Sequence, residues 1–137
     1  MSFETDLRSR PKADAGVDAL IGKKSSVKSI DWNERPQGAP YPSIVMNVVL
    51  ADLSQHMQGF NHFQPTRTRF RCTATDRSKA IALRNAVIAC IVPEATQDDT
   101  QFLRAQGVTH YPTTQGTGTD TLHHEFVDAE MWHGPAA

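Results

Sequence analysis

The residues from Pro65 to Thr75 alternate strictly between two kinds of side chain, and this alternation limits the possible folds more than any other feature. One set consists of Thr73 and three arginines that we call the arginine ladder (Arg67, Arg69 and Arg71), and the other of Thr66, Thr68, Phe70, Cys72 and Ala74. Because successive side chains of a β-strand point to opposite faces, the pattern predicts a strand with one core face and one strongly cationic face.

A helix is predicted directly after this strand. Asp76 or Thr75 can cap its first turn, because short polar side chains accept hydrogen bonds from the free backbone N–H groups there. Pro93 ends the helix, since proline cannot continue it. The predicted apolar stripe, at helical spacing, consists of Ala80, Leu83, Val87 and Cys90 or Ile91.

Further strands are predicted on both sides of this unit. Residues 43 to 53 are β-branched or apolar at nearly every position, which is typical of a strand covered on both faces. Residues 100 to 111 and 121 to 133 resemble two strands separated by a glycine-containing tip at 112 to 120. Residues 27 to 32 alternate enough to predict one more short strand.

The chain is predicted to begin with a helix. Pro11 is expected to kink or break it near Arg10, because the proline ring clashes with the preceding turn. The helix is expected to restart with Asp14 near its beginning and to stop at Gly22.

Two segments show neither the helical nor the strand periodicity of apolar residues. Residues 34 to 42 contain three prolines and a glycine and are predicted to form an extended loop, whereas residues 54 to 64 are predicted to join two long strands. The resulting order is α-β-β-β-α-β-β. It predicts a single α+β domain over residues 1–137, with two helices packed on a mostly antiparallel mixed β-sheet.

The composition agrees with one globular domain, since 39% of the 137 residues are apolar and 21% are charged. No apolar run approaches the ~20 residues that cross a bilayer, and the first residues lack the features of a signal peptide. We therefore expect a soluble protein that is not secreted and has no membrane partner. Cys72 and Cys90 match no zinc spacing and are expected to be reduced, unreactive thiols in the core.

Charge is distributed unevenly along the chain. Residues 65 to 93 carry six basic residues against one acidic residue, whereas residues 94 to 137 carry one basic residue against seven acidic ones. One interpretation is that these charges are solvated or pair within the fold, where exposed pairs contribute only about 0 to 1 kcal/mol each. The other is that oppositely charged regions of neighbouring copies attract each other and set the register of an assembly.

The residue groups that could suggest catalysis or ligand binding lack the arrangement that those functions require. His123 and His124 are adjacent on a predicted strand and point to opposite faces, so they do not easily chelate one ion. The Gly116-Thr117-Gly118 segment lacks the helix that follows a nucleotide-binding fingerprint. The sequence therefore predicts a protein that is not an enzyme and uses neither a cofactor nor a metal. A hydrolase with a histidine site at His123 or His124 is the most distant alternative.

The arginine ladder has two interpretations. Alternate strand residues could present a row of charges to nucleic-acid phosphates, so a small nucleic-acid-binding module using the basic segment 65 to 93 is an alternative function. The ladder could instead pair across strands with carboxylates such as Asp128 and Glu130, which share a face of the last strand. The segment lacks the interleaved aromatics of a platform for single strands.

Four segments carry a resemblance through their order and spacing. They are Ala13-Asp-Ala-Gly-Val-Asp-Ala-Leu-Ile-Gly22; Trp32-Asn-Glu-Arg-Pro-Gln-Gly-Ala-Pro-Tyr-Pro42 leading into Ile44-Val45; Arg67 to Asp76 leading into a helix with Ala80, Leu83 and Val87; and Phe126-Val-Asp-Ala-Glu-Met-Trp-His133. Together they resemble the tail-completion, or tail-terminator, family of long-tailed bacteriophages, which also occurs in prophages and gene transfer agents. The family usually has an apolar residue where Pro11 stands.

This resemblance implies a structural virion protein that forms a ring, typically of six subunits. The ring ends tail-tube polymerisation and joins the tail to the head connector, so the implied partners are further copies, the tail-tube protein and a connector or stopper protein. DNA only passes through the channel. The implied location is the head–tail junction of the virion, after assembly in the bacterial cytoplasm.

A ring subunit uses two different patches, and opposite charges on opposite flanks help a head-to-tail contact to close. One of the two long segments, 34 to 42 or 112 to 120, is expected to contact a neighbouring subunit or the tube. Because a cationic bore would retain DNA, most of the ladder is expected to be paired or turned away. The predicted interface residues are Arg35, Pro36, Arg67, Arg69, Arg71, Asp128 and Glu130.

Overall fold

The computed structural model describes residues 3–24, 27–36, 38–51, 55–56, 59–60, 63–116 and 121–135. Within these residues the helices are α1 (Phe3–Ala13), α2 (Ala15–Asp18) and α3 (Arg77–Ile91). The first strands are β1 (Lys23–Lys24), β2 (Val27–Lys28), β3 (Ile30–Trp32), β4 (Ser43–Ala51), β5 (Gln55–His56) and β6 (Gly59–Phe60). The remaining strands are β7 (Gln64–Ala74), β8 (Ala95–Gln97), β9 (Thr100–Phe102), β10 (Gln106–Gln115) and β11 (Leu122–Pro135).

One seven-stranded sheet organises the molecule. Its main path is β3-β4-β7-β11-β9-β8, and β10 pairs with β11 along most of its length. Only β3 and β4 run parallel, and the other neighbours in this sheet are antiparallel. The short pairs β1–β2 and β5–β6 form separate two-stranded ladders. This is the predicted mixed, mostly antiparallel α+β architecture.

The helices pack on one face of the sheet, which we call the covered face. Its core joins Leu7 of α1, Val17 of α2 and Leu83 of α3 to sheet residues such as Phe70 and Val127, and all five side chains are fully buried. Removing this apolar surface from water contributes about 25 cal/mol per Å². The opposite face of β7 carries the arginine ladder, and we call it the open face.

The β7–α3 unit matches its prediction in detail. Thr66, Phe70 and Cys72 are buried while the ladder arginines are half-buried, as the alternation requires. Asp76 is the N-cap of α3, and its Oδ1 accepts a hydrogen bond from the Ser78 backbone N–H at 3.0 Å. The predicted stripe is buried, with Ile91 rather than Cys90 as its last member.

The first helix differs from its prediction, because Pro11 lies inside α1 and the interruption comes at Asp14. Proline costs a helix one hydrogen bond, but distant contacts hold this one in place. Arg8 Nε donates to the Ile30 carbonyl oxygen at 2.7 Å, and Arg10 Nη2 donates to that of Cys90 at 2.8 Å. Asp14 has extended backbone angles and caps α2, so the structure has three helices where two were predicted.

Two strand predictions, for residues 100–111 and 43–53, also need correction. The predicted strand 100–111 is divided into β9 and β10, and β10 continues beyond Pro112 because it lies at an edge and pairs only with β11. The first four residues of β4 are buried but Val48 and Leu50 are exposed, so β4 is covered on both faces only in its first half. Where the structure describes the predicted turn 54–64, it contains the short strands β5 and β6 and the first residue of β7. Residues 54, 57, 58, 61 and 62 of that segment, residues 117–120 of the predicted tip and the predicted strand end at 52–53 lie outside the described residues.

Candidate interface on the open face

The register of the central strands decides which side chains meet on the open face. In β11, Asp128 lies opposite Arg69, Glu130 opposite Arg67 and Phe126 opposite Arg71. The sequence therefore predicted the shared face correctly, and the antiparallel pairing of β7 with β11 supplies the alignment.

Arg69 and Asp128 form a two-pronged ion pair. Arg69 Nε donates to Asp128 Oδ1 at 2.9 Å and Nη2 donates to Oδ2 at 3.2 Å, the planar geometry in which guanidinium and carboxylate bind best. This hydrogen bonding raises the pKa of Arg69. The guanidinium also lies 5.8 Å from the ring centres of both Tyr111 and Phe126, which stack on each other. The predicted cross-strand pairing is confirmed for Arg69.

Arg67 turns toward the edge strand β10. Its Nη2 lies 3.4 Å from both the Gly107 carbonyl oxygen and Thr109 Oγ1. Gly107 has a φ of +58°, a conformation that favours glycine, at the register shift between Gln106 and Thr109. Arg67 is therefore directed to β10 rather than straight out from the sheet.

Arg71 lies beside a small pocket between the loop after β3 and the ends of β4, β7, β10 and β11. The pocket has a volume of about 160 Å³ and is lined by Arg35, Tyr41, Ser43, Arg71, Thr73, Gln115, Leu122 and His124. Arg35 stacks its guanidinium 4.4 Å from the centre of the Tyr41 ring and donates to the Ala39 carbonyl oxygen. We call this cavity the Arg35–Arg71 pocket.

Pro36 belongs to the same loop but borders a different cleft. That shallow cleft of about 410 Å³ is lined by Arg8, Asp31, Trp32, Glu34 and Pro36. Arg8 Nη2 and Asp31 Oδ1 lie 3.3 Å apart at its wall. The structure therefore separates Pro36 from the Arg35–Arg71 pocket, although the two residues are adjacent in sequence.

The two neighbouring histidines have different surroundings. His124 Nδ1 is 2.7 Å from Thr73 Oγ1 and its Nε2 is 3.2 Å from Gln115 Oε1, while burial and then the charge of Arg71 lower its pKa. His123 has a buried Nδ1 and lines a larger cavity of about 310 Å³ together with Arg77 and Glu125. Within the described residues no three His, Cys, Asp or Glu side chains are grouped as a metal site would require.

The cysteines are both free thiols. Burial raises the pKa of Cys72, and burial raises that of Cys90 to about 11. Neither thiol is therefore disposed to form the thiolate that acts as a nucleophile. None of the helices in the described part is long and apolar enough to span a membrane.

Sequence reasoning missed two features of this surface. The Arg35–Arg71 pocket joins a loop to four strands, and the only sequence signal was that Arg71 and Thr73 share a face. The distal half of β4 exposes Val48, Val49 and Leu50, because β3 pairs only with the residues from Ile44 to Met46. Residues 47–51 carry no charge, a pattern that the sequence alone does not distinguish from that of a buried strand.

Comparison with solved structures shows a protein whose fold this chain shares. No protein-family model matches the sequence, and no curated protein matches it. The chain is similar to a chain of a solved structure described as the virion of a native gene transfer agent particle, with a TM-score of 0.58 and 14% sequence identity. The similarity covers 97% of this chain and 96% of that chain. At this identity the two chains share a fold.

Proposed function

We propose that this chain is a virion structural protein that forms a ring of six copies, ends tail-tube polymerisation and joins the tail to the head connector. The observation that carries the proposal is the fold shared, over nearly the full length of both chains, with a component of a gene transfer agent virion. The resemblance of the sequence to tail-terminator proteins supports the proposed place in the particle.

The charge distribution supports a head-to-tail ring. A closed ring joins two different patches of each copy, and opposite charges on those patches disfavour contacts between like patches. The exposed, uncharged end of β4 adds an apolar contact that does not weaken with salt. The proposed interface residues are Arg35, Pro36, Arg67, Arg69, Arg71, Asp128 and Glu130.

The state of the arginine ladder is compatible with a channel for DNA. A row of free arginines would hold DNA by releasing its counterions. Arg69 is neutralised by Asp128 and Arg67 is turned to β10, so two of the three arginines already have partners. The proposed partners are further copies of the chain, the tail-tube protein and a connector or stopper protein, with DNA passing through.

The decisive experiment deletes the gene from a strain that produces the particles and measures tails by electron microscopy. Tails of uncontrolled length without attached heads are expected, and a plasmid copy of the wild-type gene restores normal particles. Tails of normal length attached to heads after deletion would overturn the proposal. The purified protein, mixed with isolated tubes, should form a ring at one end of each tube.

The alternative of a nucleic-acid-binding module is less well supported. Of its basic residues, Arg69 and Arg84 are held by Asp128 and Glu125. Phosphate binding weakens steeply with ionic strength, so fluorescence anisotropy with single-stranded and duplex DNA at two salt concentrations tests it. Tight binding that falls steeply with salt would favour this alternative.

A further inference from the structure

We propose that the Arg35–Arg71 pocket binds one oxyanion, a carboxylate or phosphate group, between the guanidinium groups of Arg35 and Arg71 and the hydroxyl of Ser43. The pocket volume of about 160 Å³ exceeds the ~30 Å³ that one water occupies in the liquid, so a small polyatomic ion has room. The site lies on the open face and involves none of the helices.

The described lining of the pocket carries positive charge. Two arginines line it, and the described residues of its lining include no carboxylate. In β11, Phe126 lies opposite Arg71, and Asp128 lies two positions further along the strand. Both carboxylate oxygens of Asp128 already accept hydrogen bonds from Arg69. An anion is therefore the ligand that this lining lacks.

Two residues that line the pocket each have a buried donor with no acceptor within the described structure. Ser43 is 1% exposed and its Oγ is buried without a hydrogen-bond partner. The Nε of Arg71 is likewise buried and unpartnered. Buried polar atoms in proteins are almost always hydrogen-bonded, so two such donors at one cavity indicate an acceptor that completes the site. An oxyanion accepts from both at once, and it accepts from guanidinium groups particularly well.

The walls of the pocket are held in place. Arg35 is fixed by Tyr41 and by the Ala39 carbonyl oxygen, and the His124 ring is held between Thr73 and Gln115. A binding site with preorganised walls loses little freedom when its ligand enters.

The oxyanion that binds the pocket has two possible sources: a free ion, or an acidic side chain of a second copy of the chain. The β8–β9 hairpin carries exposed Glu94 and Asp98 at the edge of the sheet formed by β8, away from β4. If a second copy provides the acidic side chain, the inference rests on the proposed ring; if the ligand is a free ion, it does not. Binding of a free oxyanion by a single copy tests the pocket alone.

The test is thermal unfolding of the full chain with sodium phosphate or sodium acetate, compared with sodium chloride at equal ionic strength. A saturating concentration of the oxyanion should raise the unfolding midpoint of the wild-type protein by about 3 °C above its value in sodium chloride. Arg71→Gln and Ser43→Ala should each lose this gain. Arg67→Gln, which removes a charge from the same face outside the pocket, should keep it. Comparison within each variant separates the gain from any general loss of stability.

A second arm distinguishes the sources by sedimentation velocity. If phosphate dissociates an assembly of the wild-type protein, and the combination of Glu94→Gln with Asp98→Asn prevents that assembly, a second copy supplies the carboxylate. If phosphate binds but leaves the association state unchanged, the ligand is a free ion. The proposal is overturned if Arg71→Gln gains as much from oxyanions as the wild type, or if no oxyanion acts in either arm. A pocket that binds phosphate in a protein that forms no ring would contradict the proposed function alone.

Discussion

Two arginine–carboxylate pairs, Arg84–Glu125 and Arg69–Asp128, lie on opposite faces of the sheet and have different surroundings. On the covered face, Arg84 Nη1 and Glu125 Oε1 are 2.9 Å apart, with side chains 16% and 3% exposed. On the open face, the side chains of Arg69 and Asp128 are 36% and 10% exposed. Water can replace a lost partner only where it has access. Loss of one partner should therefore be costly on the covered face and tolerated better on the open face, where the pair is free to serve contacts between molecules.

The largest effect is expected from the apolar part of the covered face. Phe70→Ala should lower the free energy of unfolding by about 3–5 kcal/mol, because it leaves a cavity in a fully buried position. Urea denaturation measures the loss. Val48→Ala, at an exposed position of the neighbouring strand, should change stability by no more than about 0.5 kcal/mol. Equal losses in the two variants would contradict the assignment of the two faces.

The buried ion pair should come next. Arg84→Met should cost about 3 kcal/mol in unfolding free energy, because Glu125 then remains as an uncompensated buried charge. Adding Glu125→Leu removes that charge and should restore most of the loss. A double variant as unstable as Arg84→Met would show that packing by Arg84, and not charge, was responsible.

Lowering the pH should destabilise the protein through His133, which lies on the covered face. Burial lowers the pKa of this histidine to about 4, and its ring stacks on Phe3 and contacts Thr66 Oγ1 at 2.8 Å. The unfolded chain therefore binds a proton between the ordinary pKa of 6.5 and about 4 while the folded chain does not, so stability falls as the pH is lowered through that range. Denaturation midpoints in urea from pH 7 to pH 4 measure the slope. His133→Phe should flatten it, and an unchanged slope would assign it to other groups.

The open-face pair is expected to affect stability less than the buried pair does. Arg69→Glu should cost only about 1 kcal/mol in unfolding free energy, since the pair is partly exposed. Its main effect should be on assembly, measured as the fraction of tubes bearing a ring in electron micrographs. The exchanged pair, Arg69→Glu with Asp128→Arg, should recover part of the assembly. Normal assembly of Arg69→Glu with altered DNA ejection would show that pairing is not the role of Arg69.

Sequence reasoning succeeded where a pattern depends on neighbouring residues. The alternation in β7, the Asp76 cap and the stripe of α3 all follow from the spacing of side chains along one strand or one helix. It failed at Pro11, at the end of β9 and at the exposed half of β4, where the outcome depends on which distant segment packs there. For the candidate site, pairing of the arginine ladder with Asp128 and Glu130 was one of two interpretations of the sequence, and the structure bears it out for Arg69 and Asp128. The pocket beside Arg71 was not predicted.

The sequence by itself determined the two faces of β7, the helix that follows it and the uneven distribution of charge, because these are properties of order along the chain. The tertiary structure alone decided that α1 continues through Pro11, that Arg35 and Arg71 meet across a pocket, and that Ser43 is buried there without a partner. Those outcomes arise from contacts between residues far apart in the chain, and such contacts exist only once the sheet has set the register of its strands.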